Sequence, residues 1–562
     1  MAGTRVQLLR DIESWIKDFG TPRIFWLAGM AGVGKTAVAW TICSLVADNP
    51  EMVLGGSFFC SRSAGLSALG DVRCIVPTLA QLMARQSSAF SQALALALAK
   101  DPEVLHLQIS SQVEQLLHKP LLALKGSTVP VVFVIDALDE CGGSLGGNES
   151  LNDAQSRRIV SDMLTALVDF SSLWANLPVK FIVTSRPETH IRDTPVSNDS
   201  LNKVLKLHTV NKKQVTADIR LYVSDKLLFW QNDARSPFTT SHVDKLVPIC
   251  DGLFIVATTA VQYALEEGCD SAEERFKTLI DASQDRLTTG AAAPLDQMYG
   301  LILKDAAKDD ATGLRNVLQV LASLLSSRTT LSVAALAELL DVSKSQLRAR
   351  VSRLHAVLNV PNNNEDASLR TLHASFGDYL FSRAPDHICI SEQLGHDILA
   401  HACLDVMTRS LHFNVSQSTS SYETVKRPDI IRFSLEYACM QWVYHASIIL
   451  EESSRAERDD GAVVAKLLSW IIRTFQPHEL EEKINFVFRR QLLFWLEVMS
   501  TLGQVRRAAA MLSFAVAVVR PTPEVAPCQQ LLTTLFSSNR RNCRVSFATP
   551  TRSSHPHMRL SN

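Results

Sequence analysis

The sequence lacks any unbroken apolar run of about 20 residues, the length a membrane-spanning helix needs. The nearest, Ala508 to Val519, is far too short, and it sits between Arg506-Arg507 and Arg520 as a packed helix would. No C-x-x-C pair and no Cys/His cluster of zinc spacing occurs among the 11 cysteines. With no signal peptide either, these read as reduced, mostly buried thiols of a cytosolic or nuclear protein. Net charge is nearly absent, 56 Lys and Arg against 57 Asp and Glu. No global field therefore recruits nucleic acid or an anionic membrane. No internal repeat of roughly 20–50 residues is found, which excludes a solenoid. What is present is ordinary globular composition, 46% hydrophobic and 20% charged over 562 residues. At about 150 residues per domain, three or four domains are expected.

One segment stands out, RIFWLAGMAGVGKTAVAW. Gly29 to Thr36 fits G-x-x-x-x-G-K-[ST], between a short apolar strand (Ile24–Leu27) and an alanine-rich helix beginning at Lys35. Strand, glycine loop and helix form a phosphate cradle. The glycines Gly29, Gly32 and Gly34, with Val33, turn backbone N–H groups toward a polyphosphate, and the helix N-terminus adds partial positive charge. Lys35 can reach the β- and γ-phosphates, and the Thr36 hydroxyl can take a Mg²⁺ position. The expected ligands are ATP or ADP, with GTP as the alternative, and Mg²⁺.

Apolar runs alternate with helical stretches through the first ~210 residues, which implies a parallel sheet wrapped by helices, an α/β P-loop NTPase domain. The expected strands are Ile24–Leu27, Ser57–Cys60, Val131–Ile135, Phe181–Thr184 and Val204–Leu207. A helical stretch fills Thr78–Lys125, and the glycine-rich Gly142–Ser150 follows the third strand, where ligand-binding loops lie. From Asn211 the pattern turns helical, with helices expected over Val215–Phe229 and Leu246–Leu265. Helices over Leu314–Leu325, Val333–Leu340 and Ser343–Leu358 then precede a hairpin of Leu358–Val360 and Leu369–His373 around the polar turn Asn362–Asp366, the pattern of a winged helix. The divisions read as a lead-in helix (1–22), NTPase domain (23–212), helical domain (213–305), winged helix (306–385), C-terminal helical region (386–536) and a disordered tail (537–562).

VVFVIDALDE supplies the second half of the site. Asp136 ends an apolar strand, where it can hold Mg²⁺ through water. Asp139 and Glu140 follow within a turn, and either can orient or deprotonate an attacking water. The blander reading has the two acids capping a segment or facing solvent. FIVTSRPE then delivers Thr184, Ser185 and Arg186 to the same edge, and an arginine fork suits γ-phosphate oxygens. Arg62, after the second strand, is a weaker phosphate candidate.

The combination of GMAGVGKT, VVFVIDALDEC and KFIVTSRPE resembles the NACHT class of STAND signal-transduction NTPases. The form is the one common in fungal NOD-like receptors and similar to the nephrocystin-type N-terminal domain. Ala137, a small residue directly after the magnesium aspartate, is part of that form. The resemblance continues through CDGLFIVATTAV (Cys250–Val261), LASLLSSRTTLSVAALAELL (Leu321–Leu340) and LRTLHASFGDYLF (Leu369–Phe381). IESWI (Ile12–Ile16) and FWLEVMS (Phe494–Ser500) extend it, so it covers roughly Arg5 to Val519. It implies that His373 contacts the β-phosphate of ADP and locks a closed state, and that Gly252, Leu253 and Phe254 border the adenine, although the family's proline is missing there. It also implies slow Mg²⁺-dependent hydrolysis, self-association in the ATP state, a cytoplasmic location, and a role in signal transduction of the fungal innate-immunity or self-recognition type. Relatives usually carry an effector domain before the NTPase and repeats after it. Neither is expected here, which leaves a shortened gene reading, a naturally short regulator or a non-signalling copy.

Two other functions compete. Lys344, Arg348, Arg350 and Arg353 on one helix could place a winged helix on DNA, but Leu347, Val351 and Leu354 are needed for packing there and no basic stripe extends beyond it. A continuously cycling ATPase or remodelling motor would use the same lysine and acids, and nothing in the sequence separates it from a switch.

Overall fold

Strands buried on both faces read as unbroken apolar runs rather than alternating ones, and five such runs build one parallel sheet. They are β1 (Ile24–Ala28), β2 (Val53–Phe59), β3 (Val131–Asp136), β4 (Val179–Ser185) and β5 (Lys203–Lys206), in spatial order β2-β3-β4-β1-β5. The computed structural model describes residues 3–61, 68–141, 153–198, 202–207, 210–228, 238–266, 272–284, 294–308, 310–361, 367–417, 430–456 and 477–518. Arg62, the 142–150 loop, the 362–366 turn and the 537–562 tail lie outside the described residues.

Side chains of each strand divide between two cores. Trp26, Phe133, Ile135, Phe181 and Val183 face α3 (Ile75–Gln86), α4 (Ser88–Lys100) and α5 (Asp153–Ser171). Phe25, Leu27, Val132, Val134 and Ile182 face α1 (Val6–Lys17) and α2 (Lys35–Asp48). Phe133, Phe181 and Trp174 stack at 4.8 and 5.0 Å within the core of the first face. The Lys180 ammonium ties α1's exit to β4 by donating to the carbonyls of Asp18, Thr21 and Pro22 and to the Thr21 hydroxyl.

Beyond β5 the described chain is helical except for one hairpin. The helices are α6 (Lys212–Leu228), α7 (Thr240–Ile249), α8 (Phe254–Leu265), α9 (Ala272–Gln284) and α10 (Pro294–Ala307). Next come α11 (Ala311–Ser326), α12 (Val333–Leu339) and α13 (Lys344–Val351), then β6 (Leu358–Asn359) paired antiparallel with β7 (Arg370–Thr371), and α14 (Ala374–Ser382). The chain continues through α15 (Glu392–Ser410), α16 (Phe433–Ala456), α17 (Pro477–Arg490), α18 (Leu492–Thr501) and α19 (Val505–Val518), which share one core with the preceding helices. Among the described residues no helix is long and apolar enough to cross a membrane.

Three elements differ from the sequence expectation, each for a visible reason. β2 starts at Val53 rather than Ser57, because Gly55 and Gly56 interrupt the apolar pattern. Gly55 is required there, since a Cβ would lie 2.7 Å from Val131 Cγ1. The single helix expected over 246–265 is two, broken where Asp251 (φ 45°) and Gly252 (φ 80°) take left-handed backbone. α13 stops at Val351, not Leu358, and the chain turns into β6.

Candidate phosphate-binding site

The glycine loop follows β1, and the Gly29 N–H donates to the Ser185 carbonyl at 3.1 Å, so β1 and β4 stay paired into the loop. Gly32 (φ 76°) and Gly34 (φ 92°) then take the left-handed backbone that points successive amides inward. Gly32 is constrained a second time. Its carbonyl accepts from the Ile255 N–H at 3.1 Å, and a Cβ there would meet Ile255 Cγ2 at 2.1 Å. The loop is therefore clasped by the first turn of α8, and the Val33 carbonyl accepts from Arg5 Nη2 at 3.2 Å. Phe254, expected near an adenine, has the Arg5 guanidinium 5.3 Å from its ring centroid.

Lys35 opens α2 nearly buried, at 9% exposure. Its ammonium donates to the carbonyls of Gly29 (2.7 Å) and Met30 (3.0 Å), folded over the loop. Burial lowers its pKa, and Asp139 and Asp136 pull the other way. These are weak partners for a desolvated cation, and anionic oxygens would serve it better.

Asp136 ends β3 at 1% exposure. Burial raises its pKa, opposed by hydrogen bonds from the Thr184 and Thr36 hydroxyls and by Lys35. The Thr184 hydroxyl donates to Asp136 Oδ1 at 2.5 Å and accepts the Ala137 N–H at 3.0 Å. Ala137 itself is left-handed (φ 52°), a conformation that bulky β-branched residues resist. Among the described residues no group of three or more His, Cys, Asp and Glu could hold a metal alone. Thr36 and Asp136 offer the hydroxyl and carboxylate that Mg²⁺ takes alongside phosphate oxygens, and a buried carboxylate gains from a cation, so this pair fits that ion.

The two further acids have different surroundings. Asp139, 4% exposed, accepts the Arg186 N–H at 2.9 Å and pairs with Arg186 Nε at 3.1 Å. Both of its oxygens are engaged by the arginine. Glu140 is half-buried at the end of the same turn.

Arg186, placed by the end of β4, extends its other arm to Asp378 Oδ2 at 2.6 Å, in α14. Burial pulls its pKa down, but Asp378, Asp139 and Glu140 outweigh burial and the net shift is upward. His373 caps α14, its Nδ1 accepting the Ser375 N–H at 3.1 Å. Burial, Arg186 and Lys35 together hold its pKa down to about 4. The ring is then neutral at pH 7, and with Nδ1 accepting, its proton resides on Nε2. Residues 29–36, 136–140, 186 and 373 thus gather at one edge of the sheet, around the Lys35 and Arg186 cations. Sequence reasoning missed Asp378, Arg5 and Ile255. Asp378 lies on the quoted LHASFGDYL segment, and only the fold shows that it faces the arginine.

Residues 3–186, which carry the glycine loop, Asp136 and Arg186, match the family model of the nephrocystin 3 N-terminal domain. No curated protein matches the chain. Among solved structures it is similar to the signal transduction ATPase with numerous domains (STAND) protein with a tetratricopeptide repeat sensor from Pyrococcus horikoshii. Identity there is 11% and the TM-score 0.34, over 92% of this chain and 64% of that one, so the chain spans less than two thirds of that protein's length.

Proposed function

We propose that the chain is a nucleotide-dependent molecular switch of the STAND/NACHT class, binding ATP or ADP with Mg²⁺ and acting in signal transduction. The observation that carries this reading is the Arg186–Asp378 ion pair. It joins the end of a sheet strand to α14, beside His373 and over the phosphate loop. A cycling enzyme has no need to spend its phosphate-facing arginine on a distant segment, whereas a latch does. In this reading α11 to α14 with the β6–β7 hairpin form a winged helix that closes on the nucleotide domain. ADP leaves Arg186 to Asp378 and accepts a hydrogen bond from His373 Nε2–H. The γ-phosphate of ATP competes with the Asp378 carboxylate for the Arg186 fork, and the winged helix is released. Lys35 and the loop amides hold the phosphates, Thr36 and Asp136 hold Mg²⁺, and Glu140 activates water for slow hydrolysis that resets the latch. The opened form self-associates in the cytoplasm, and fungal innate immunity is the setting the sequence resemblance suggests.

DNA binding is disfavoured by the surroundings of α13. Arg348 Nη1 donates to the Pro361 carbonyl at 2.8 Å, Arg350 reaches Gln319 at 3.3 Å, and Arg353 pairs with Asp305 at 2.8 Å. These cations are committed within the chain.

The test is to purify the protein and identify what it carries. Tightly held ADP, hydrolysis well below about one turnover per second, and loss of nucleotide on Lys35→Ala are expected. Steady turnover above that rate sinks the switch in favour of a motor, and failure to bind any nucleotide sinks both.

A further inference from the structure

Outside the phosphate contacts, the same sheet edge holds a pair of thiols that the nucleotide reading does not use. Cys60 extends β2, its N–H donating to the Asp136 carbonyl at 3.0 Å. The chain leaves β3 at Asp136, turns through Leu138–Glu140 and returns at Cys141, whose Sγ lies 2.8 Å from Cys60 Sγ across 81 positions of sequence. Both are free cysteines, and each is 5% exposed. A disulfide is about 2.05 Å long, so the sulfurs stand within about 1 Å of bonding. Their neighbour Cys74 is engaged elsewhere, its thiol on Asp71 Oδ2 at 3.5 Å. A metal is not the explanation, since no group of three or more ligating residues forms among the described residues.

We propose that Cys60 and Cys141 form a redox modification site. Oxidants of the peroxide class close a disulfide between them and thereby restrain the Glu140 turn. The chemistry balances without any further reagent. One thiol loses its proton, and its sulfur attacks a peroxide oxygen. The O–O bond breaks, leaving a sulfenic acid and, once the released hydroxide takes up that proton, water. The second sulfur displaces the sulfenic hydroxyl, the S–O bond breaks, and the second thiol's proton leaves with it as another water. The peroxide gains two electrons and each sulfur loses one. Burial, with Cys141 beside it, pushes the Cys60 thiol well above its usual value. A raised pKa withholds the thiolate that attack requires, so the pair should close slowly under peroxide.

The consequence follows from the positions. Cys141 directly follows Glu140, and Cys60 sits at the level of Asp136, so the bond would staple the water-activating turn to β2. This functional half rests on the proposed nucleotide site, whereas the covalent half does not.

The experiment uses the full chain, treated with hydrogen peroxide or with a phosphine reductant, then denatured in an alkylating agent and digested. A cross-linked peptide joining Cys60 to Cys141 is expected after peroxide, reversed by the reductant, absent from Cys60→Ala and Cys141→Ser, and retained in Cys74→Ser. Hydrolysis of Mg-ATP should fall at least threefold on oxidation of the native chain and stay unchanged on oxidation of Cys60→Ala. Full alkylation of both cysteines after peroxide overturns the site, as does sulfinic acid at either one without cross-linking. Cross-linking with unaltered hydrolysis overturns the restraint on Glu140. If the reduced chain hydrolyses nothing, the nucleotide reading fails instead, and peptide mapping alone still decides the thiol site.

Discussion

Two charged joints hold the α11–α14 segment, and they are built differently. Toward the sheet, Arg186 meets Asp378 with side chains 18% and 27% exposed, over a single hydrogen bond. Toward the preceding helices, Arg275 of α9 pairs with Glu266 at the end of α8, each 2% exposed. Asp305 of α10 lies 3.6 Å from Arg275 and binds Arg353 at 2.8 Å, the Glu266 carboxylate accepts the His355 N–H at 2.9 Å, and the Tyr263 ring covers the guanidinium at 4.1 Å. A pair that keeps some access to water exchanges partners at smaller cost than a dry one, whose breaking strands a charge. The difference teaches where the molecule can open. The hairpin segment should stay with α9 and α10, and its Arg186 contact with the sheet should part first.

The largest expected effect is at the dry joint. Glu266→Ala leaves Arg275 buried without its carboxylate and should cost about 3–5 kcal/mol, read from urea denaturation. A loss below about 1 kcal/mol would remove the contrast.

Acid should act next, and unevenly. His373 is held down to about 4, His396 likewise, and His445 well below the ordinary 6.5. For each, burial is the first cause, with Arg186 and Lys35 adding at His373, Arg328 at His396, and His396 and Arg328 at His445. All three are neutral when folded and take up protons when unfolded. Stability should therefore fall as pH drops from about 6.5 toward 4, by up to roughly 1.4 kcal/mol per unit of pH for each histidine. His373 borders the sheet joint, and among the described residues only the backbone of a histidine, His355, meets the Arg275 joint, so proteolysis at pH 5 should open the sheet boundary first. Equal sensitivity at both boundaries would break the comparison.

The smallest change in stability is expected from Asp378→Asn, below about 1 kcal/mol. It should nevertheless raise the assembled fraction in size-exclusion chromatography with ATP. An unchanged elution profile would deny the pair its role as a latch. Combining Asp378→Asn with Glu266→Ala sharpens the point. The two sites share no partner, and their stability effects should add to within about 0.5 kcal/mol.

Much of this was legible in the sequence. The five strands and the glycine loop announce themselves because parallel strands are apolar on both faces and Gly32 and Gly34 have conformational work to do. Asp136 and Arg186 follow from their place at strand ends. The rest depends on tertiary approach, which no local pattern encodes. Asp378 reads as an ordinary helix acid until α14 is brought against β4, and Cys60 and Cys141 as unrelated thiols until β2 and β3 pair. Asp139 was legible as an acid at the site, but its grip on Arg186 appears only in three dimensions. The 246–265 break was hidden because its apolar residues keep a helical rhythm across Asp251-Gly252.

The clasp between Gly32 and Ile255 has a genetic consequence. Position 32 is barred to side chains by its backbone angle and again by the isoleucine. Trimming Ile255 to alanine should therefore relieve only part of a Gly32→Ala defect. Suppressors of a substitution at Gly32 would then collect in the first turn of α8 and restore function incompletely, so that a lesion in the phosphate loop is read out in a helix more than two hundred positions away.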